Sequence, residues 1–156
     1  MFEEDRWIDD ELDDEFDDEY SESYRDYRKE GMARGVLNRE LGRRGEAAAA
    51  RYLKLIGYEI LERNWLCPAG EADIIAREDE TLVFVEVKTR TSLKKGFPSE
   101  AVDEAKRSRY ERIAAWYLRE SDLVDIPVRF DVVDLLVVSE DRAMIKHYVN
   151  AFGVVY

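Results

Sequence analysis

One cysteine, Cys67, and one histidine, His147, in a chain of 156 residues exclude several kinds of chemistry at once. A lone thiol cannot build a disulfide framework, and neither a Cys-rich zinc site nor a multi-histidine metal centre can be assembled within one chain. No stretch approaches the roughly 20 apolar residues of a membrane span. The beginning of the chain lacks the basic start and apolar run of a secretory signal. The expectation is a reduced, cytoplasmic protein without membrane contact.

Positive charge is also scarce overall, with a formal net charge of -12. Spread evenly, that balance would argue against a nucleic-acid partner. It is concentrated instead in Met1–Glu30, which holds 15 acidic and 4 basic residues, whereas Gly31–Tyr156 holds 21 and 20. The first segment repels itself and has too few apolar residues to build a core. It is expected to be a disordered acidic tail over residues 1–36, with a folded domain over 37–156. Trp7, Ile8, Leu12, Phe16 and Tyr20 recur every three or four positions, which would suit an induced amphipathic helix.

Hydrophobic spacing predicts a helix from Asn38 to Ile56, stopped by Gly57, with Leu41, Gly45, Ala48, Tyr52 and Leu55 as its inner stripe. "YEILERN", "EADIIA" and "TLVFVEVKT" read as three strands, the last two joined by a turn at "REDE". A second helix is predicted from Ser99 to Arg119, with Val102, Ala105, Ile113, Trp116 and Tyr117 inward. "VRFDVVDLLVV" and "MIKHYVN" complete the pattern as two strands. Helix, three strands, helix, two strands predicts an α/β fold with a mixed sheet flanked by helices.

The strand "LVFVEVKTR" poses a problem that its neighbours answer. With side chains alternating faces, Val83, Val85 and Val87 share one side, and Leu82, Phe84, Glu86 and Lys88 the other. Both sides start apolar, as in a central strand covered on both faces. Glu86 and Lys88 therefore project the same way near the strand end. A turn centred on Asp79-Glu80 would put Asp73 directly opposite Glu86, and one centred on Glu78-Asp79 would make them diagonal neighbours. Either geometry keeps the two Cβ atoms within roughly 8 Å. Adjacent carboxylates repel and raise each other's pKa. A divalent cation such as Mg²⁺ resolves that conflict, since it takes one or two carboxylates plus water and phosphate oxygens. Lys88 beside it could orient or help deprotonate a water and steady a phosphate. Glu46 stands three, four and seven positions before Ala49, Ala50 and Leu53, which places it at the rim of a packed helix face within reach of the same site.

"GRRGEAAAARYL", "GYEILERNW", "GEADIIA", "FVEVKTR", "FPSEAVDEAKRSRYERIAAWYL" and "RFDVV", in that order between about Leu37 and Val138, resemble the bacterial YraN family. Its members are similar to archaeal Holliday-junction resolvases of the PD-(D/E)xK nuclease superfamily. The resemblance implies a restriction-endonuclease-like fold and a metal-dependent nuclease acting on DNA, on branched or repair intermediates. It implies Asp73 and Glu86 as ligands of Mg²⁺ or Mn²⁺, Lys88 as the catalytic lysine, and Glu46 as an assisting helical acid. Resolvase-like relatives also imply a homodimer, because cutting a two-fold junction takes two sites.

Arg90, Lys94, Lys95, Lys106, Arg107 and Arg109 flank the motif and could contact DNA phosphates. With no base-reading motif present, backbone- or structure-directed binding is expected. Arg129 and Asp131, two apart on one strand face, read as a structural salt bridge. Cys67 and His147 read as structural. A second function is compatible with the same residues: a non-catalytic nucleic-acid-binding or scaffold domain that retains the fold.

Overall fold

The computed structural model describes residues 31–91 and 104–152. The chain runs as helix α1 (Gly31–Leu55), strands β1 (Glu59–Cys67), β2 (Gly70–Glu78) and β3 (Thr81–Arg90), helix α2 (Glu104–Glu120), and strands β4 (Val128–Ser139) and β5 (Arg142–Tyr148). The five strands form one open sheet in the order β1-β2-β3-β4-β5. β3 pairs antiparallel with β2 and parallel with β4, so the sheet is mixed, as the element order predicts.

The apolar start of β3 explains its central place. Leu82, Val83, Phe84 and Val85 are all fully buried. On one face Val83 and Val85 join Ile74, Val133 and Leu135 beneath Ala49, Ala50 and Leu53 of α1. On the other, Leu82 and Phe84 join Ile75, Phe130 and Val132 beneath Tyr110, Ile113, Ala114 and Tyr117 of α2. Covering both faces of a strand in this way removes each of its side chains from water, and each fully buried aliphatic or aromatic one contributes about 1.5–3 kcal/mol.

The ends of the helices differ from the sequence reading. α1 begins at Gly31 rather than Asn38. Gly35 and Val36 in its early turns are exposed, so this extension carries no burial pattern to read. Leu41, Gly45, Ala48 and Tyr52 of the predicted stripe do face the sheet, Ala49, Ala50 and Leu53 beside them are the most deeply buried, and Leu55 is 70% exposed instead of packed. At Gly45 a Cβ would fall 1.8 Å from Thr89 Oγ1, so the helix rests on β3 at its smallest residue. Gly57 ends the helix as expected, with φ 101°. Tyr58 N–H donates to Leu53 O and Gly57 N–H to Lys54 O, the paired bonds of a Schellman stop. On α2, Ala105 is exposed and Trp116 half-buried beneath the Arg119 guanidinium, while Tyr110 and Ala114 take the inward places. Val102 and the predicted start at Ser99 lie outside the described residues.

Candidate metal and phosphate site

The β2–β3 turn fixes the register on which the site depends. Glu78 pairs with Thr81, so the loop is the two residues Asp79-Glu80, with Asp79 at φ 51°. Pairing continues to Ile74 opposite Val85. The pairing ends there, one step before Asp73 would face Glu86.

At Asp73 the sheet departs from simple alternation. Ala72 packs on the α2 side and Ile74 on the α1 side, although two residues apart they should share a face. The facing residue of β1, Asn64, has φ 52°, and neither residue is paired across the ladder. The break turns the Asp73 carboxylate toward β3, where Oδ2 accepts the Val87 N–H at 2.8 Å. Asp73 thus stands in the field of both Glu46, from α1, and Glu86. Burial, and then those two neighbouring carboxylates, push its pKa up to about 6, against the favourable Val87 N–H and the nearby Lys88 charge.

Glu86 is 4% exposed and carries the densest set of charges. Its Oε1 meets Lys88 Nζ at 2.5 Å and Lys106 Nζ, from the first turn of α2, at 2.6 Å. Burial works against the Glu86 charge, but hydrogen bonds from Lys106 and Lys88 outweigh it and hold the carboxyl below the usual range. Burial also opposes the Lys88 charge, yet the Glu86 bond holds that ammonium above the usual lysine range. Lys106 is pushed the other way, first by burial and then by Lys88, and lies below it. The second oxygen, Oε2, is buried with no hydrogen-bond partner among the described residues.

Glu46 lies on the α1 side, half-buried, directly after the Gly45 contact. Burial raises its pKa, in part offset by a hydrogen bond from the Asn64 side chain. Glu46, Asp73, Glu86 and Lys88 are therefore gathered at one end of β3. Among the described residues, however, no three Asp, Glu, His or Cys side chains stand close enough to hold an ion by themselves. The donor set fits Mg²⁺ or Mn²⁺ in the form that uses two protein carboxylates, Asp73 and Glu86, and leaves the other positions to water and phosphate. Glu86 Oε2, buried, clear of both lysines and on a carboxyl group that neighbours the Tyr110 phenol, is the oxygen such a cation would meet.

The cationic residues divide. Lys106 points into the site rather than out to solvent. Arg90 is half-buried and faces Asp134. Arg109 is exposed, with its guanidinium over the Tyr110 ring at 5.6 Å and its stem beside Gly70. Lys94 and Lys95 lie outside the described residues.

Two residues absent from the sequence reading also belong here. Asp134 of β4 is the parallel register partner of Lys88, is 5% exposed, and has an unpartnered buried Oδ1. Burial raises its pKa against the charges of Arg90, Lys146 and Lys88. Tyr110 is 1% exposed, and burial together with the Glu86 and Asp73 charges pushes its phenol up. No turn sets the β3–β4 register, so nothing local in the sequence announces Asp134. The helical spacing of Tyr110 to Ile113 and Tyr117 could have found the tyrosine.

Arg129 and Asp131 form the expected structural pair, and His147 joins them. Arg129 donates to both oxygens of the fully buried Asp131 at 2.9 and 3.0 Å, and also to Glu78 and Tyr58 at 2.7 Å. His147 Nε2 lies 2.8 Å from Asp131 Oδ2.

The fold and this cluster define a mixed α/β domain with two carboxylates and a lysine mounted at one end of its central strands. Residues 45–135 match the uncharacterised protein family UPF0102. A UPF0102 protein of Beutenbergia cavernae is 50% identical over 107 residues, covering 69% of this chain and 91% of that one. One from Geobacter sulfurreducens is 43% identical over 119 residues, covering 76% and 93%. One from Caldicellulosiruptor saccharolyticus is 46% identical over 115 residues, covering 73% and 98%. The chain belongs to the UPF0102 family. The matched region begins at Gly45 and contains every residue of the cluster.

Proposed function

We propose that the protein is a divalent-metal-dependent nuclease that hydrolyses DNA phosphodiester bonds, with branched or repair intermediates as its substrates. The observation that carries this reading is the Asp73 carboxylate on the Val87 N–H, within the field of Glu86, with Lys88 on Glu86 Oε1 and Glu86 Oε2 buried away from both lysines. Holding like charges together costs folding free energy, and a cation with a phosphate would supply what they lack. The similarity of the motif run to PD-(D/E)xK nucleases and resolvases supports the same roles.

Asp73 and Glu86 would hold Mg²⁺ or Mn²⁺, with Glu46 behind Asp73. Such an ion, when bound, supplies Lewis acidity and lowers the pKa of a bound water. Because Glu86 keeps Lys88 charged, Lys88 fits the role of a cation that orients the attacking water and steadies the phosphate better than that of a neutral base. Arg109 offers an exposed charge for the DNA backbone nearby. Paired cuts across a two-fold junction would take two copies of the chain.

A second reading, a nucleic-acid-binding domain without catalysis, is favoured by one observation: two lysines already balance Glu86. A panel of linear, flap and four-way-junction DNA with Mg²⁺ or Mn²⁺ separates the two. The nuclease reading expects cleavage of a branched member, and its loss in Glu86→Ala with the fold retained. Cleavage unchanged in that variant, or DNA binding with no cleavage of any substrate, would contradict it.

A further inference from the structure

The cation position on Glu86 is already taken by the protein itself. Oε1 accepts two ammonium groups, from Lys88 at 2.5 Å and from Lys106 at 2.6 Å. Two like charges on one buried oxygen repel, so one of them can be exchanged for another cation. The two lysines are mounted differently. Lys88 stands on the central strand, two residues from Glu86, with the Asp134 carboxylate as its register partner on β4. Lys106 reaches in on the same four-carbon stem from a helix, α2, whose first described residue is Glu104, and not from the sheet. Both ammonium groups have a route to solvent, with side chains 22% exposed for Lys106 and 36% for Lys88 against 5% for Glu86, so what separates the two lysines is the element that carries each.

Charge makes the exchange consistent. Glu46, Asp73, Glu86 and Asp134 supply four carboxyl groups, against two ammonium groups on Glu86. A divalent cation added with both lysines in place would crowd two kinds of positive charge onto one carboxylate. Releasing Lys106 removes that conflict and frees an ammonium beside the ion, where a backbone phosphate would lie.

We propose that Lys106 is a resident counter-ion of Glu86 that a divalent metal displaces, and that the displaced ammonium then binds a DNA phosphate next to the metal. The proposal rests on the metal-site reading above. Metal and DNA would therefore bind cooperatively, with Lys106 as the coupling element.

The test uses the full chain and Lys106→Met, which keeps the apolar stem and removes the charge. Calorimetric titration with Mn²⁺ in the absence of DNA is expected to show binding about fivefold tighter in Lys106→Met than in wild type, because the competitor is gone. Affinity for a non-cleaved duplex, measured with and without Ca²⁺, is expected to rise with the ion in wild type and to rise much less in the variant. The salt slope of ion-loaded DNA binding should fall by about one. Lys106→Gln serves as a second neutral variant should the methionine disturb folding, and Lys106→Arg should behave as wild type towards Mn²⁺. Equal or weaker Mn²⁺ binding in folded neutral variants, with wild type binding normally, would overturn the Lys106 role alone. No Mn²⁺ binding by wild type would overturn the metal-site reading and this role with it.

Discussion

Asp73 shows at the scale of one residue what the site costs the fold. Its carboxyl, shifted up to about 6 from an ordinary 3.8, binds a proton in the folded state that the unfolded chain has already lost. The contribution of this group to stability is therefore intact below pH 3.8, declines as pH rises through about 6, and stays low above it. Asp73→Asn removes the charge and keeps an oxygen for the Val87 N–H. In metal-free buffer the variant should be more stable than wild type at pH 8 by up to about 3 kcal/mol, with the gain vanishing near pH 3.5. Chemical denaturation at the two pH values checks this. Equal stability at pH 8 would mean that Asp73 bears no electrostatic strain. On the proposed function the same substitution should abolish cleavage, an exchange of stability for function.

Among the elements, α1 does two jobs, and the sequence revealed one of them. Its existence, its stop at Gly57 and the position of Glu46 at the rim of a packed face were readable from spacing. The close seat of Gly45 on Thr89 was not, because no local pattern encodes a contact across the fold. Gly45→Ala should destabilise the protein by about 2 kcal/mol, as overpacking does, and should displace the adjacent Glu46. Replacing Thr89 with Ala in the same chain should recover most of that loss, measured as a thermal double-mutant cycle. Additive losses would show that the two residues do not touch. The β2–β3 hairpin was legible for another reason: a two-residue turn dictates register, and that register runs from Glu78-Thr81 to Ile74-Val85, next to Asp73 and Glu86. The detail at Asp73 was not, since the face change beside Asn64 follows from backbone geometry rather than composition.

Across the whole molecule, long-range pairing supplied what the sequence could not. The β3–β4 register alone sets Asp134 against Lys88, and packing of α2 alone turns Lys106 inward, so residues read as DNA contacts divide between site and surface. Another network of the same kind ties β4 to β5, β2 and the end of α1, through Asp131 with Arg129, His147 and the Asn150 N–H. Burial would raise the Asp131 pKa, but His147, Arg129 and the Asn150 N–H together hold it below the usual range. The stability it contributes is present above the ordinary aspartate range and is lost as pH falls through the lowered value. Asp131→Asn should cost about 3–5 kcal/mol at neutral pH by leaving Arg129 half-paired, and the penalty should shrink in acid. A pH-independent loss would place the effect in packing instead. Among the described residues, no helix is long and apolar enough to cross a membrane.

Anomalous diffraction from crystals soaked in Mn²⁺ addresses the central claim most directly. The account predicts a metal peak shared by the carboxylates of Asp73 and Glu86, with Lys106 drawn away from Glu86 Oε1 and Lys88 still beside it. An empty site at saturating Mn²⁺, with both lysines still on Glu86, would contradict it.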